Sequence, residues 1–195
     1  TFIMLDGASL DGNIDGGGGN NTLDYRAYTT SVNVNLSTFT ATNISTSVVG
    51  IHNVYGGLND DILIGDNGDN ILGSNGGNDI LEGLFGDNTY LLFDGFQIVQ
   101  IIETAYGRDT LDFTNVTAGL TFLLADKRVI LDDSIVYYEG SKIEAFIGGS
   151  GDDTFIFAHG FVLPSGTRID GGLGFDTLDF SAYENARNVR LTAVG

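Results

Sequence analysis

The chain has 195 residues, of which 42% are hydrophobic and 11% aromatic, enough apolar material for a sizeable core. Eight Lys and Arg stand against 26 acids, 21 of them Asp, giving a net charge of −18, and so few cations cannot neutralise a phosphate backbone, which excludes nucleic acid as a partner. With no Cys there are no disulfides or thiolate metal sites, and a mean hydropathy of +0.11 argues against disorder.

Gly (29 residues) and Asp favour turns over helices, so many turns and few helices are expected. In chain order the sequence is a series of repeats. It opens on TFIMLDG from Thr1, passes a degenerate nonapeptide GGGGNNTLD from Gly16, and reads TLDYRAYTTSVNVNL over 22–36. The Thr alternation in Ser37–Ser47 occurs once and reads as an ordinary exposed strand. From Gly56 to Leu91 come four tandem nonapeptides in unbroken register: GGLNDDILI, GDNGDNILG, SNGGNDILE and GLFGDNTYL. Their sixth position is Asp61, Asn70, Asp79 and Asn88, and their eighth is Leu63, Leu72, Leu81 and Tyr90.

The opening then recurs. TYLLFDG from Thr89 leads to a degenerate TAYGRDTLD from Thr104 and to TLDFTNVTAGLTFLL over 110–124. After the apolar segment Ser134–Phe146 come GGSGDDTFI from Gly148, TFIFAHG from Thr154, GGLGFDTLD from Gly171 and TLDFSAYENARNVRL over 177–191. This divides the chain into a module over 1–88, a second over 89–153 and an incomplete third over 154–195. Both ends fall inside a repeat, so a longer natural protein is expected. Tyr25, Phe113 and Phe180 each follow a Leu by two residues, which places both on the inner face of a strand.

The pattern G-G-x-G-x-D-x-U-x resembles the calcium-binding nonapeptide repeats of the RTX (haemolysin-type) family of secreted bacterial proteins. More loosely, the modules resemble large bacterial surface and adhesin-like repeat proteins. The resemblance implies an all-β, right-handed parallel β-roll or β-helix solenoid of roughly 18–22 residues per coil. It implies that the first six residues of a repeat form a turn, the last three a strand, and that calcium sits between turns one coil apart. The candidate ligands are then Asp61, Asp79, Asp109, Asp153 and Asp176, with Asn21, Asn70 and Asn88 at the same position. The turn glycines Gly56, Gly57, Gly65, Gly83, Gly148, Gly149, Gly171 and Gly172 complete the set. Independently of the resemblance, glycine lets backbone carbonyls converge on an ion, and Asp supplies the hard oxygens that calcium takes.

Counting coils by spacing puts Asn21, Asn43, Asp61, Asp79 and Gln97 on one edge. The other edge receives Asn70, Asn88, Asp109, Asp153 and Asp176, with Asp132 and Asp133 midway through the 44-residue gap between Asp109 and Asp153. The Asp61/Asp79 pair is expected to hold the best calcium site. The Asn edge would bind weakly, helped by Asp60, Asp69 and Asp87, or form metal-free ladders. Carboxylates stacked about 5 Å apart repel by roughly 3 kcal/mol at an effective dielectric of 20, so calcium binding would become folding energy.

No catalytic constellation stands out. His52 falls at the sixth position of a degenerate turn and His159 has no neighbouring nucleophile, while Lys127, Arg128, Arg187 and Arg190 adjoin no acidic cleft pattern. No run of 18 apolar residues exists, so membrane insertion is not expected. The expected function is an extracellular, calcium-binding structural or adhesive module at the bacterial cell surface, without enzyme activity. Its partners would be calcium, neighbouring copies stacked end to end, or surface glycans. The alternatives are a calcium-binding accessory region of a secreted enzyme and a filament subunit.

Overall fold

A computed structural model describes residues 1–103, 106–139 and 143–184. Its first strands are β1 (Phe2–Ile3), β2 (Asn13–Asp15), β3 (Thr22–Asp24), β4 (Asn33–Asn35), β5 (Thr40–Ala41) and β6 (Ser47–Val49). Next come β7 (Asn53–Tyr55), β8 (Ile62–Ile64), β9 (Ile71–Ser74), β10 (Gly77–Glu82), β11 (Thr89–Phe93), β12 (Phe96–Ile102) and β13 (Asp109–Asn115). The last are β14 (Thr121–Leu123), β15 (Arg128–Leu131), β16 (Ser134–Tyr138), β17 (Ile143–Ile147), β18 (Thr154–Ile156), β19 (Arg168–Asp170) and β20 (Thr177–Asp179). The one helical element among the described residues is a single 3-10 turn, Leu124–Asp126.

The fold is all-β, with largely parallel sheets. One sheet of eight strands runs β1-β3-β7-β9-β11-β13-β17-β19 and is parallel throughout. The other has ten strands in the order β20-β18-β14-β15-β16-β12-β10-β8-β4-β5. From β7 to β14 the chain alternates between them, one strand at a time. The nonapeptide explains this alternation. Its glycine-rich half turns the chain and its last three residues lie in a strand with one apolar side chain facing inward, although in the third tandem repeat the strand starts early, at Gly77. Leu63, Leu72, Leu81 and Tyr90, the eighth residues of the tandem repeats, are fully buried.

The inner faces of both sheets merge in one apolar cluster that includes residues from Met4 to Phe157. Each buried Leu contributes roughly 1.5–3 kcal/mol of hydrophobic stabilisation. Aromatic side chains take over towards the C-terminal half, where Phe122 stacks on Phe155 at 4.2 Å and meets Phe113 edge-on at 5.4 Å. Tyr25 and Phe113 are fully buried and Phe180 packs against the cluster, as the alternation with leucine predicts.

Two insertions break the regular alternation. The first is the antiparallel pair β4/β5 followed by β6, which pairs with β2 in a small sheet of its own. The second is the antiparallel meander β14-β15-β16, which lays three strands in the ten-stranded sheet between one strand of the other sheet and the next. The Ser37–Ser47 segment is therefore not a single strand. Phe39 and Asn43, at φ 61° and 60°, turn it twice.

Candidate functional site

The sixth positions line up at two sheet edges, one per sheet. At the edge of the eight-stranded sheet the chain stacks Asn21, His52, Asn70, Asn88 and Asp109: the Asn21 carbonyl accepts the His52 N–H, and the carbonyls of His52, Asn70 and Asn88 accept the N–H of the residue after the next member, Ile71, Thr89 and Thr110. At the edge of the ten-stranded sheet, Val32, Asp61 and Asp79 stack in the same way. Further along that edge stand Leu120, Asp153 and Asp176. The edge assignment from spacing is thus corrected: Val32 rather than Asn43 precedes Asp61, Val99 rather than Gln97 pairs with Asp79, and two further placements change. Asn21 stands with Asn70 and Asn88 rather than with Asp61. Asp153 and Asp176 stand on the edge of Asp61 and Asp79 rather than with Asp109. The physical cause is the two insertions. Asp132 and Asp133 form the turn between β15 and β16, so the 44-residue gap holds a meander rather than two regular coils.

Within each stack the sixth side chain reaches back one row. Asp79 Oδ1 accepts the Asp61 N–H at 2.9 Å, Asn88 Oδ1 accepts the Asn70 N–H at 2.9 Å, and Asp109 Oδ1 accepts the Asn88 N–H at 2.8 Å. Asp61 Oδ1 takes the Val32 N–H at 2.8 Å, Asp153 Oδ1 takes that of Leu120 at 2.7 Å, and Asp176 Oδ1 that of Asp153 at 3.0 Å. In the Asn21 row the His52 imidazole substitutes, its Nδ1 accepting the Asn21 N–H at 3.4 Å.

A second ladder runs one residue earlier and in the opposite direction. Asp60 Oδ1 accepts the Asn78 N–H, Asp69 Oδ1 that of Asp87, Asp87 Oδ1 that of Arg108, and Asp152 Oδ1 that of Phe175. The acids flanking position six are therefore engaged with the following row.

The other oxygen of the sixth residue folds back over its own turn. Asp61 Oδ2 accepts the Gly57 N–H at 2.6 Å, and Asp153 Oδ2 that of Gly149 at 2.8 Å. In the third tandem repeat the first residue is Ser74, whose hydroxyl donates to Asp79 Oδ2 in place of that N–H. A Cβ at Gly56, Gly65, Gly83, Gly148 or Gly171 would overlap the sixth side chain of the same repeat. At Gly65 and Gly148 it would also overlap the carbonyl oxygen of the glycine one row on, Gly83 and Gly171. Gly172 sits at φ 87°, a left-handed turn that suits glycine.

Asp61, Asp79, Asp109 and Asp153 are buried acids, whereas Asp176 is exposed. Burial pushes the Asp61 carboxyl up to about 6 and the Asp79 carboxyl up to about 7, against the N–H donors that pull them down. Burial raises Asp153 as well. For calcium, the donors match in kind: carboxylate and carbonyl oxygens converge on the space that first-position glycines leave free. Each of the Asp61 and Asp153 oxygens already accepts a backbone N–H, so only the remaining lone pairs are open to an ion. Among the described residues no three His, Cys, Asp or Glu side chains meet on one point.

Sequence reasoning overlooked Ser74, Glu103 and Glu144. Glu144 Oε2 accepts the Asp109 N–H at 2.9 Å and so takes the ladder role of a sixth residue. Glu103 is buried and accepts from the Tyr90 hydroxyl at 2.6 Å. A glutamate set in an apolar run, as in Gln100–Glu103 and Ile143–Ile147, was the available signal. Of the cations considered for catalysis, Lys127 closes the 3-10 turn at φ 54° and Arg128 pairs with Asp126 at 2.9 Å. Arg187 and Arg190 lie outside the described residues. The His159 ring lies 5.9 Å from that of Tyr183. No described helix is long and apolar enough to cross a membrane. No protein-family model matches the chain, and no curated protein matches it.

Proposed function

We propose that the chain is a right-handed parallel β-roll solenoid serving as a calcium-responsive structural or adhesive module of a secreted bacterial surface protein, without catalysis of its own. The observation that carries this reading is the stack of buried carboxylates Asp61 and Asp79, set one row apart in turns that repeat every nine residues. Buried Asp153 and exposed Asp176 repeat the hydrogen bond further along the same edge.

A buried carboxylate is costly unless its charge is neutralised. Bound calcium would supply positive charge at the Asp61, Asp79, Asp153 and Asp176 edge, joined there by carbonyls of glycines such as Gly171. The residues of this chain orient the carboxylates: Gly57, Gly149 and Ser74 fix one oxygen, and the N–H of the preceding row fixes the other. At the opposite edge Asn70 Oδ1 accepts the Asp66 N–H and Asn88 Oδ1 that of Asn70, while their Nδ2 groups donate to the carbonyls of His52 and of Phe85 and Gly86, an uncharged arrangement that suits a stretch that holds without metal. Where calcium is scarce the acidic chain would stay loose, and it would tighten on reaching a calcium-rich exterior.

Circular dichroism and thermal melts with and without chelator test the reading. Chelation is expected to lower the melting temperature and weaken the β signal, with calcium restoring both and sodium at equal ionic strength failing to. Asp61→Asn with Asp79→Asn is expected to remove most of the calcium response. Identical melts in chelator and calcium would overturn the reading.

A further inference from the structure

The antiparallel meander gives the ten-stranded sheet an outer face with its own chemistry. Alternation along β12 and β16 turns Val99 and Val136 into the core and their neighbours outward. Strand pairing sets Gln100 beside Tyr137, and Tyr137 beside Arg128. Tyr137 is left 40% exposed and Ile98, one strand away, 49%. The 3-10 turn closes alongside, where the Tyr138 N–H donates to the Lys127 carbonyl at 3.2 Å. An open groove of about 730 Å³ results, within the roughly 300–1,000 Å³ of small-molecule sites. The strands supply Ile98, Gln100 and Tyr137 to it, the turn supplies Asp126 and Lys127, and Glu139 follows at the end of β16. Its polar groups are only partly engaged. Gln100 Nε2 donates to Glu139 Oε1 at 3.4 Å, and Arg128 holds Asp126 by the single oxygen Oδ2 at 2.9 Å. Lys127 makes no ion pair among the described residues.

The geometry points to a binding groove for a neutral saccharide, with one pyranose ring laid on Tyr137. A sugar ring has an apolar C–H face and an edge of hydroxyls that both donate and accept. Tyr137 and Ile98 offer uncovered apolar surface to the face. Asp126 and Glu139 accept from the edge, Lys127 donates to it, and the Gln100 amide does both. A basic ligand would meet the Lys127 ammonium. An anionic one would meet Asp126, Glu139 and the net charge of −18. None of the six residues belongs to a nonapeptide turn, so the groove stands apart from the calcium edge. Its role in adhesion alone rests on the function proposed above.

Saturation-transfer NMR and titration calorimetry on the whole chain in calcium test this, with maltotriose, cellotriose and mannotriose as probes. At least one is expected to bind with a Kd on the order of 1 mM, weak because the groove is shared with water. Tyr137→Ala is expected to weaken that binding by at least about tenfold, and Gln100→Ala by about threefold. Both side chains are exposed, so both variants are expected to keep the wild-type circular dichroism and calcium response. No binding of any of the three up to about 10 mM, or binding that Tyr137→Ala leaves unchanged, overturns the proposal. Tetralysine bound at Tyr137 in place of the sugars overturns it too and assigns the groove to a basic peptide. Sugar binding that depends on Tyr137 in a chain without a calcium response supports the groove and sinks the calcium reading instead.

Discussion

At position six, Asp and Asn both supply an Oδ1 acceptor, but Asp adds a second acceptor and a charge where Asn adds a donor, so substitutions there probe geometry and electrostatics together. Asp79→Ala leaves the Ser74 hydroxyl and the Asp61 N–H without an acceptor and is expected to destabilise by about 1–3 kcal/mol in urea unfolding. Asp79→Asn keeps an acceptor for the Asp61 N–H and should cost less in metal-free protein. The metal-free protein should also respond to pH. Burial holds the folded Asp79 carboxyl at about 7, above the ordinary value of about 4. Between those values the folded state keeps a proton that the unfolded chain has released. Stability is therefore present below about pH 4 and declines as pH rises towards 7. Chelated protein should melt at a higher temperature at pH 5 than at pH 8, and Asp79→Asn should flatten the difference. Gly56→Ala, which drives a Cβ into the Asp61 carboxylate, is expected to cost about 1–3 kcal/mol. Gly18→Ala, with open space around it, should stay within about 0.5 kcal/mol. The stacking of Asp61 and Asp79 one row apart was legible because a strict nine-residue period leaves one register. The roles of Glu103 and Glu144 were not, since no period points to them.

Among the elements, the tandem strands β8 to β11 were legible for the same reason, each burying the eighth residue of its repeat, Leu63, Leu72, Leu81 or Tyr90. The meander β14-β15-β16 was not. Its segments are apolar and of ordinary spacing, and counting residues cannot tell two crossings from two hairpins. The local signals were Lys127 and Asp132, both in left-handed turns at φ 54° and 52°. The meander is tied to the rest by Phe122, which touches Phe113, Phe146 and Phe155. Phe122→Ala is expected to cost about 3–5 kcal/mol, read from denaturant unfolding monitored by tyrosine fluorescence. A loss near zero would mean that the meander contributes little to the common core.

Over the whole molecule the net charge of −18 acts on every row at once. Monovalent salt shortens the Debye length from about 10 Å at 0.1 M to about 3 Å at 1 M, which weakens self-repulsion. Chelated protein is therefore expected to melt at a higher temperature in 1 M sodium chloride than in 0.1 M, and calcium-loaded protein should respond less.

The ladders at positions five and six point in opposite directions, so each row is joined to the next by a reciprocal pair of bonds. A finished row presents a side-chain oxygen at position five and an N–H at position six, and both are completed by the row that follows. Asp60 and the Asp61 N–H show the pair, filled by the Asn78 N–H and Asp79 Oδ1. Each row is thus a template for its successor, and a slip of one residue would break both bonds together.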